Sequence, residues 1–341
     1  MTTILYIIIA IVAFGVMIAI HEAGHFFTAR ACGVAVYEFS LGMGPRLFGW
    51  TGKTGTKYNI RLFPIGGFVS MKGEDEEAEG EDSFSQKKPW QRFVITSAGA
   101  VMNILLGLVL SFALVLAGDI GTTVVAEFAE GAITSEWLNV GDEIVEINGS
   151  KIHTYNELHY EILHDCYEPV DVVVIRGGER VTLKGVTFPT QISDGMVYGD
   201  FDFSLYRAEK TAQNVLKHTW YFAVSTVKMI WESLTDLLTG RVGVEAVSGP
   251  VGVVEAVGTA ASVGPYNLFY LLCVLTMNLG VFNLLPVPAL DGGRLVFILF
   301  EMIFRRKVPE KYESMVHFIG IVLLMGLMVL ITFKDIVKLF G

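Results

Sequence analysis

The chain has 341 residues, 25 of them basic and 35 acidic, for a net charge of −10 and a pI near 5.2. It is 52% hydrophobic with a mean hydropathy of +0.52, which is too apolar for an ordinary soluble protein. The acidic balance gives no support to nucleic-acid binding.

The first predicted element is a membrane span over 4–29. A stretch of about 20 apolar residues crosses a bilayer, and residues 4–20 carry no charged or strongly polar side chain. The stretch lacks a basic leader and a small-residue cleavage site, so it reads as a retained span and not a signal peptide. Inside it stand His21-Glu22-Ala23-Gly24-His25. This H-E-x-x-H spacing puts two imidazoles one helical turn apart, where both can bind one zinc, with the glutamate as general base. Ionisable groups at lipid depth are costly and by default functional. At 1.5 Å per residue, His21 lies about 25 Å along the helix from Ile4 and about 13 Å from Arg30.

Next, 34–73 reads as a β-hairpin around the turn signal Thr51-Gly52-Lys53-Thr54-Gly55, followed by a Pro/Gly-rich loop. It is too apolar for a cytosolic linker and is expected to dip into the membrane edge. The acidic run 74–82 reads as a solvated spacer. A second span follows over 93–117. Asn103 within it, like Asn278 later, reads as a helix-packing polar residue.

Residues 118–190 read as a small soluble domain. Strands are expected over 124–128 and 170–175, and a helix over 156–163. Val140-Gly141-Asp142-Glu143-Ile144-Val145-Glu146-Ile147-Asn148-Gly149 makes a strand and a tight turn. That string resembles the core of PDZ domains, which bind extended peptides by adding them to a sheet edge. The segment 191–264 is expected outside the membrane core. Its helical stretch 210–238 is interrupted by charges and carries Trp220, Tyr221, Phe222 and Trp231, which suits an amphipathic helix on the membrane surface.

The third span, over 265–290, runs into Asn283-Leu284-Leu285-Pro286-Val287-Pro288-Ala289-Leu290-Asp291-Gly292-Gly293-Arg294. Two prolines and two glycines break the helix there, and helix is expected to resume over 295–304. Non-helical backbone at that depth is tolerated only where it is buried in protein or lines a watery cavity. A carboxylate in so apolar a region needs a partner, and a metal is the best one available, so Asp291 is the leading candidate for third ligand. His153, His159, His164 and His218 lie in the expected outer regions. His317 stands alone in the fourth span, 315–333.

Lys and Arg cluster over 30–92 and again at Arg305, Arg306, Lys307 and Lys311. These segments are expected on the cytoplasmic side, with the acidic region 119–264 and both termini outside. The metal would then sit in the cytoplasmic half of the bilayer. Cys32, Cys166 and Cys273 fall in different compartments of this topology and form no disulfide framework.

Together these motifs, in this order, resemble the site-2 protease family of intramembrane zinc metalloproteases, and within it the RseP-like branch with a single PDZ domain. The resemblance extends to Gly66-Gly67-Phe68-Val69, Lys88-Pro89-Trp90-Gln91-Arg92-Phe93 and Ser248-Gly249-Pro250. It implies a polytopic α-helical membrane protein with four transmembrane helices, a re-entrant β-hairpin and an inserted α+β PDZ domain. The protease core would be 1–117 and 265–341.

It further implies one Zn2+ per chain held by His21, His25 and Asp291, with Glu22 as base and proton carrier. Asn283 would contact substrate, and Gly66, Gly67, Phe68 and Val69 would pair with it. The implied substrates are single-span membrane proteins, of the anti-sigma-factor or remnant-signal-peptide type, cut within a bacterial inner membrane by regulated intramembrane proteolysis. A peptide ligand of the PDZ domain and the lipid bilayer are the other implied partners. Many members carry Gly-Pro where Gly99-Ala100 stands here, a departure expected to touch the start of the second span and not the catalytic set. The alternative from another class is a silent scaffold that binds through its PDZ domain. It would expect a broken metal triad, and His21, Glu22, His25 and Asp291 are all present.

Overall fold

The computed structural model describes residues 2–74, 78–193, 196–241, 243 and 247–340. In chain order the elements are α1 (Thr2–Ala31), β1 (Val36–Thr51), β2 (Lys57–Met71), α2 (Pro89–Ala117), β3 (Ile120–Phe128), β4 (Glu143–Ile147), β5 (Ser150–Lys151), α3 (Tyr155–Asp165), β6 (Val170–Arg176), β7 (Glu179–Val186), β8 (Thr190–Ser193), β9 (Met196–Gly199), β10 (Phe203–Ala208), α4 (Ala212–Thr239), α5 (Pro250–Val263), α6 (Pro265–Leu284), α7 (Asp291–Phe304) and α8 (Glu310–Phe340). They fall into two compact units, Met1–Leu110 with Ser233–Gly341, and Ser111–Glu232.

Among the described residues, four helices are long and apolar enough to cross a membrane: Ile4–Ala31, Pro89–Ala117, Pro265–Leu284 and Lys311–Asp335. Their outer faces are apolar and exposed, for example Ile4, Ile8 and Val12 on α1 and Phe318, Leu323 and Leu330 on α8. Lipid is the solvent such faces require, and helices meet the need for every backbone group to be paired internally. Two of the spans, α2 and α6, begin with proline at the first helical position, where the missing N–H costs nothing.

The break after α6 is sharper and shorter than expected. Leu285 turns extended (φ −64°, ψ 146°) because Pro286 follows and disfavours helix at the residue before it. Ala289 then takes a left-handed φ of 76°. α7 starts at Asp291, four residues ahead of the expected resumption, with a carboxylate in its first turn where the helix dipole favours negative charge.

The hairpin is not a simple two-stranded ladder. The first half of β1 pairs on one side with the end of β2 (Phe39↔Val69, Leu41↔Gly67) and on the other with the beginning of β2 (Phe39↔Tyr58, Leu41↔Ile60). The beginning of β2 also pairs with the end of β1 (Trp50↔Tyr58). The two strands thus curl into four ladder segments, in the order 67–71, 36–41, 57–60, 48–51. Residues 67–71 form an outer segment that, among the described residues, has a ladder partner on one edge alone.

The second unit holds a sheet of order β10-β3-β4-β6-β7, with β5 on β4 and α3 alongside. Its core is Val125, Leu138, Ile144, Ile147, Leu158, Ile162, Val172, Val174, Val186 and Phe188, all essentially buried. The β4–β5 turn is Asn148-Gly149, both at positive φ (46° and 85°), the conformation that a two-residue hairpin prefers. The sheet runs past the expected boundary at 190, because β10 pairs antiparallel with β3. The expected surface helix also serves this unit. Lys228 of α4 binds the buried Glu161 carboxylate of α3, and Tyr221 stacks on His153 with ring centroids 4.3 Å apart. Burial raises the Glu161 carboxyl above its ordinary pKa, and Lys228 works against that rise.

Candidate metal centre

His21 and His25 lie on one face of α1 because four residues make about one helical turn. Asp291 arrives from the first turn of α7. His21 Nε2 and His25 Nε2 are 3.2 Å apart, and Asp291 Oδ2 lies 3.2 Å and 3.3 Å from them. Both histidines are buried. Among the described residues this is the one group of three such side chains whose ligand atoms converge in this way.

The hydrogen bonds behind these atoms decide what they can hold. His25 Nδ1 faces the Ile95 carbonyl at 2.9 Å, and a carbonyl only accepts, so that ring carries its proton on Nδ1. His21 Nδ1 faces the Asn103 amide nitrogen at 3.2 Å, while Asn103 Oδ1 is buried without a partner. With that amide turned about its Cβ–Cγ bond, Oδ1 accepts from Nδ1–H. With both imidazoles neutral, two nitrogen lone pairs and a carboxylate oxygen face one another across 3.2–3.3 Å. A cation between them would satisfy all three acceptors. Tetrahedral zinc with bonds of about 2.0–2.1 Å has ligand–ligand edges of about 3.3 Å, so the set fits zinc.

Two glycines allow this geometry. A Cβ on Gly99 of α2 would meet His21 Nε2 at 2.7 Å. A Cβ on Gly67 of β2 would meet Glu22 Cγ at 2.9 Å and Ser40 O at 3.0 Å. The outer hairpin segment therefore passes directly over the Glu22 side chain. Gly99, the half of the Gly99-Ala100 pair that matches the family pattern, thus lies beside the candidate ligands His21 and His25.

The cleft around these groups, about 270 Å3, is lined by His21, Glu22, His25 and Asp291 together with Gly67, Phe68 and Val69. Thr96, Glu74, Arg294 and His317 also line it. Gly66 and Asn283 are not among its lining residues. The Asn283 amide donates to Leu279 O of its own helix at 2.9 Å. His153, His159, His164 and His218 belong to the other unit.

Asn103 is the site residue that sequence reasoning missed. A signal existed: it is a lone amide in an apolar span, one turn after Gly99. A metal-bound histidine depends on the partner of its other nitrogen, and loss of such a partner costs about 10–100-fold in metal affinity. Asn103→Ala is expected to weaken zinc binding by about that factor, measured by competition with a chromophoric chelator. Asn103→Asp, which keeps an acceptor oxygen, is expected to lose less; wild-type affinity in the alanine variant would contradict this role.

Residues 9–327 match the family described as Peptidase family M50. The chain is 38% identical over 336 residues to a Clostridium perfringens protein named as a zinc metalloprotease, covering 98% of this chain and 99% of that one. It is 30% identical over 424 residues to the regulator of sigma-W protease RasP of Bacillus subtilis, covering 98% and 99%. It is likewise 30% identical over 417 residues to the zinc metalloprotease RasP of Geobacillus kaustophilus, covering 98% of each. With four apolar helices and a buried acceptor set shaped for zinc, the chain belongs to peptidase family M50, as a multi-pass membrane zinc metalloprotease.

Proposed function

We propose that this protease cuts single-span membrane substrates inside the bilayer, with His21, His25 and Asp291 as zinc ligands and Glu22 as the general base. The observation that carries the reading is the convergence of three acceptors from two apolar helices, with an outer strand segment crossing over the glutamate. Zinc, when bound, supplies Lewis acidity and a water of lowered pKa. Glu22 takes the proton of the attacking water and delivers it to the leaving amine. A silent scaffold would have no use for three converged acceptors.

A substrate helix hides its carbonyls in its own hydrogen bonds and must unwind to be cut, and its freed groups then need partners at lipid depth. The unpaired edge of Gly67–Val69 supports pairing with an unwound substrate as an added strand. The exposed Met43, Leu47, Phe48, Trp50, Leu62 and Phe63 support a hairpin that enters the membrane. A side-chain amide carries two N–H donors and an acceptor oxygen, so the bond from Asn283 to Leu279 O is compatible with a substrate contact.

The sheet-plus-α3 unit supports a PDZ reading over about 118–208, facing outward, with the catalytic cleft in the cytoplasmic half of a bacterial inner membrane. The name of the Bacillus relative ties that protein to regulation of sigma-W, which favours an anti-sigma-factor type of substrate. The test is cleavage of a single-span protein by the purified chain in lipid vesicles. Activity is expected to vanish on chelation and return with zinc. Cleavage that survives full metal removal would reject the reading.

A further inference from the structure

A second cavity, about 260 Å3, adjoins the metal cleft. The two share Glu74, Arg294, His317 and Ile321 as lining residues. Arg294 follows Asp291 by three residues, so both lie on one face of α7. Its guanidinium holds the Glu74 carboxylate at 2.5 Å, an ion pair that stands where one cavity passes into the other. Also lining the second cavity, Arg92 of α2 holds Glu301 of α7 through Nη2 at 2.6 Å. The Arg92 side chain is only 8% exposed, and its Nε is buried with no acceptor among the described residues. An orphaned donor on a buried charged group is costly and calls for an explanation. Lys307 adds a further cation and Glu313 a further carboxylate to the same lining.

Peptide hydrolysis adds one water across the C–N bond. The acyl fragment leaves as a carboxylate and the amine fragment as an ammonium. The carboxylate is a new charge made in a buried cleft, and it needs a cationic route out. Guanidinium groups match carboxylates in a planar two-point fork. Resting on the reading of the metal cleft as the hydrolytic centre, we propose that the second cavity is a product-carboxylate site. The Glu74–Arg294 pair opens to admit the new C-terminus, which Arg294 and Arg92 then hold.

The test uses the full-length protein in detergent and an N-acetylated apolar heptapeptide, either with a free C-terminal carboxylate or as its C-terminal amide. Binding is measured by calorimetry on zinc-loaded and on chelator-stripped protein. The acid is expected to bind at least about tenfold tighter than the amide in both forms, the size of about 1.4 kcal/mol. Arg294→Gln, at the more exposed pair, and Arg92→Gln are each expected to reduce that preference to under about twofold, again on the same conversion. Equal binding of acid and amide by stripped protein overturns the proposal. So does a preference confined to zinc-loaded protein, which would place the carboxylate on the metal. A preference that survives both arginine changes also overturns it, as does a cavity that takes an anionic phospholipid in nanodiscs while ignoring the peptide's carboxylate. The readout is binding, so a chain that cut no membrane span would still leave the preference measurable.

Discussion

Glu22→Gln is expected to lower cleavage of a membrane-span substrate by about 100- to 10,000-fold, the range that positioned acid–base catalysis contributes. Zinc content should be unchanged. The reason lies in which atoms touch the metal. The converged acceptors come from His21, His25 and Asp291, and Glu22 is not among them. Glutamine keeps the size of the side chain under Gly67, where a Cβ would already come within 2.9 Å of Glu22 Cγ, so the strand above it has no cause to move. What glutamine cannot do is accept a proton from water and return it to the amine. Metal analysis beside a cleavage assay separates the two effects. Wild-type turnover in the glutamine variant would remove Glu22 from the chemistry.

Asp291→Ala is expected to act on the metal first. It removes one of the three proposed ligands and leaves two lone pairs facing a space too poor in donors to hold zinc. Loss of an outer partner alone costs about 10–100-fold in affinity, so loss of a direct ligand should exceed that. Zinc retained by the dialysed protein should fall far below one per chain, and activity with it. A second consequence concerns structure. Asp291 opens α7 where negative charge is favoured, and its removal costs that helix end a favourable interaction of about 0.3–1 kcal/mol. Asp291→Asn, which keeps much of the shape but loses the same charge, should also lose zinc and the same helix-end interaction. Stoichiometric zinc in Asp291→Ala would show that the third ligand lies elsewhere.

The local parts of the site were legible in the sequence. His21, Glu22 and His25 announce themselves because helical spacing and an apolar setting are both short-range facts. Asp291 is legible for a related reason: a carboxylate beside two prolines in a membrane segment has few bland explanations. Asn103 is different. An amide in a span serves equally well as packing glue or as the orienting partner of a ligand, and only its distance to His21 Nδ1 separates the two. Gly99 was open to the same ambiguity, since a small residue in a span usually marks helix packing. Here it is the surface against which the imidazoles rest.

The curl of the hairpin was beyond reach because its register shifts repeatedly between Val36 and Phe48, and alternation of apolar residues does not encode such slips. The sheet's extension to 208 was hidden for another reason. β10 joins β3 across more than seventy residues of chain, a pairing that no local pattern announces. Glu74, Arg294 and His317 converge on the cleft from a loop and two helices, so their shared position is likewise a product of tertiary structure.

The central claim is that the metal stands at the depth where the substrate is cut. The direct measurement is mass spectrometry of the products formed from a single-span substrate in lipid vesicles, with the scissile bond assigned to a residue. The expected scissile bond lies within the apolar span; the cut is absent with Glu22→Gln and restored to chelated wild type by zinc. Products cut only in the polar flanks of the substrate, or the same products from the glutamine variant, would contradict it.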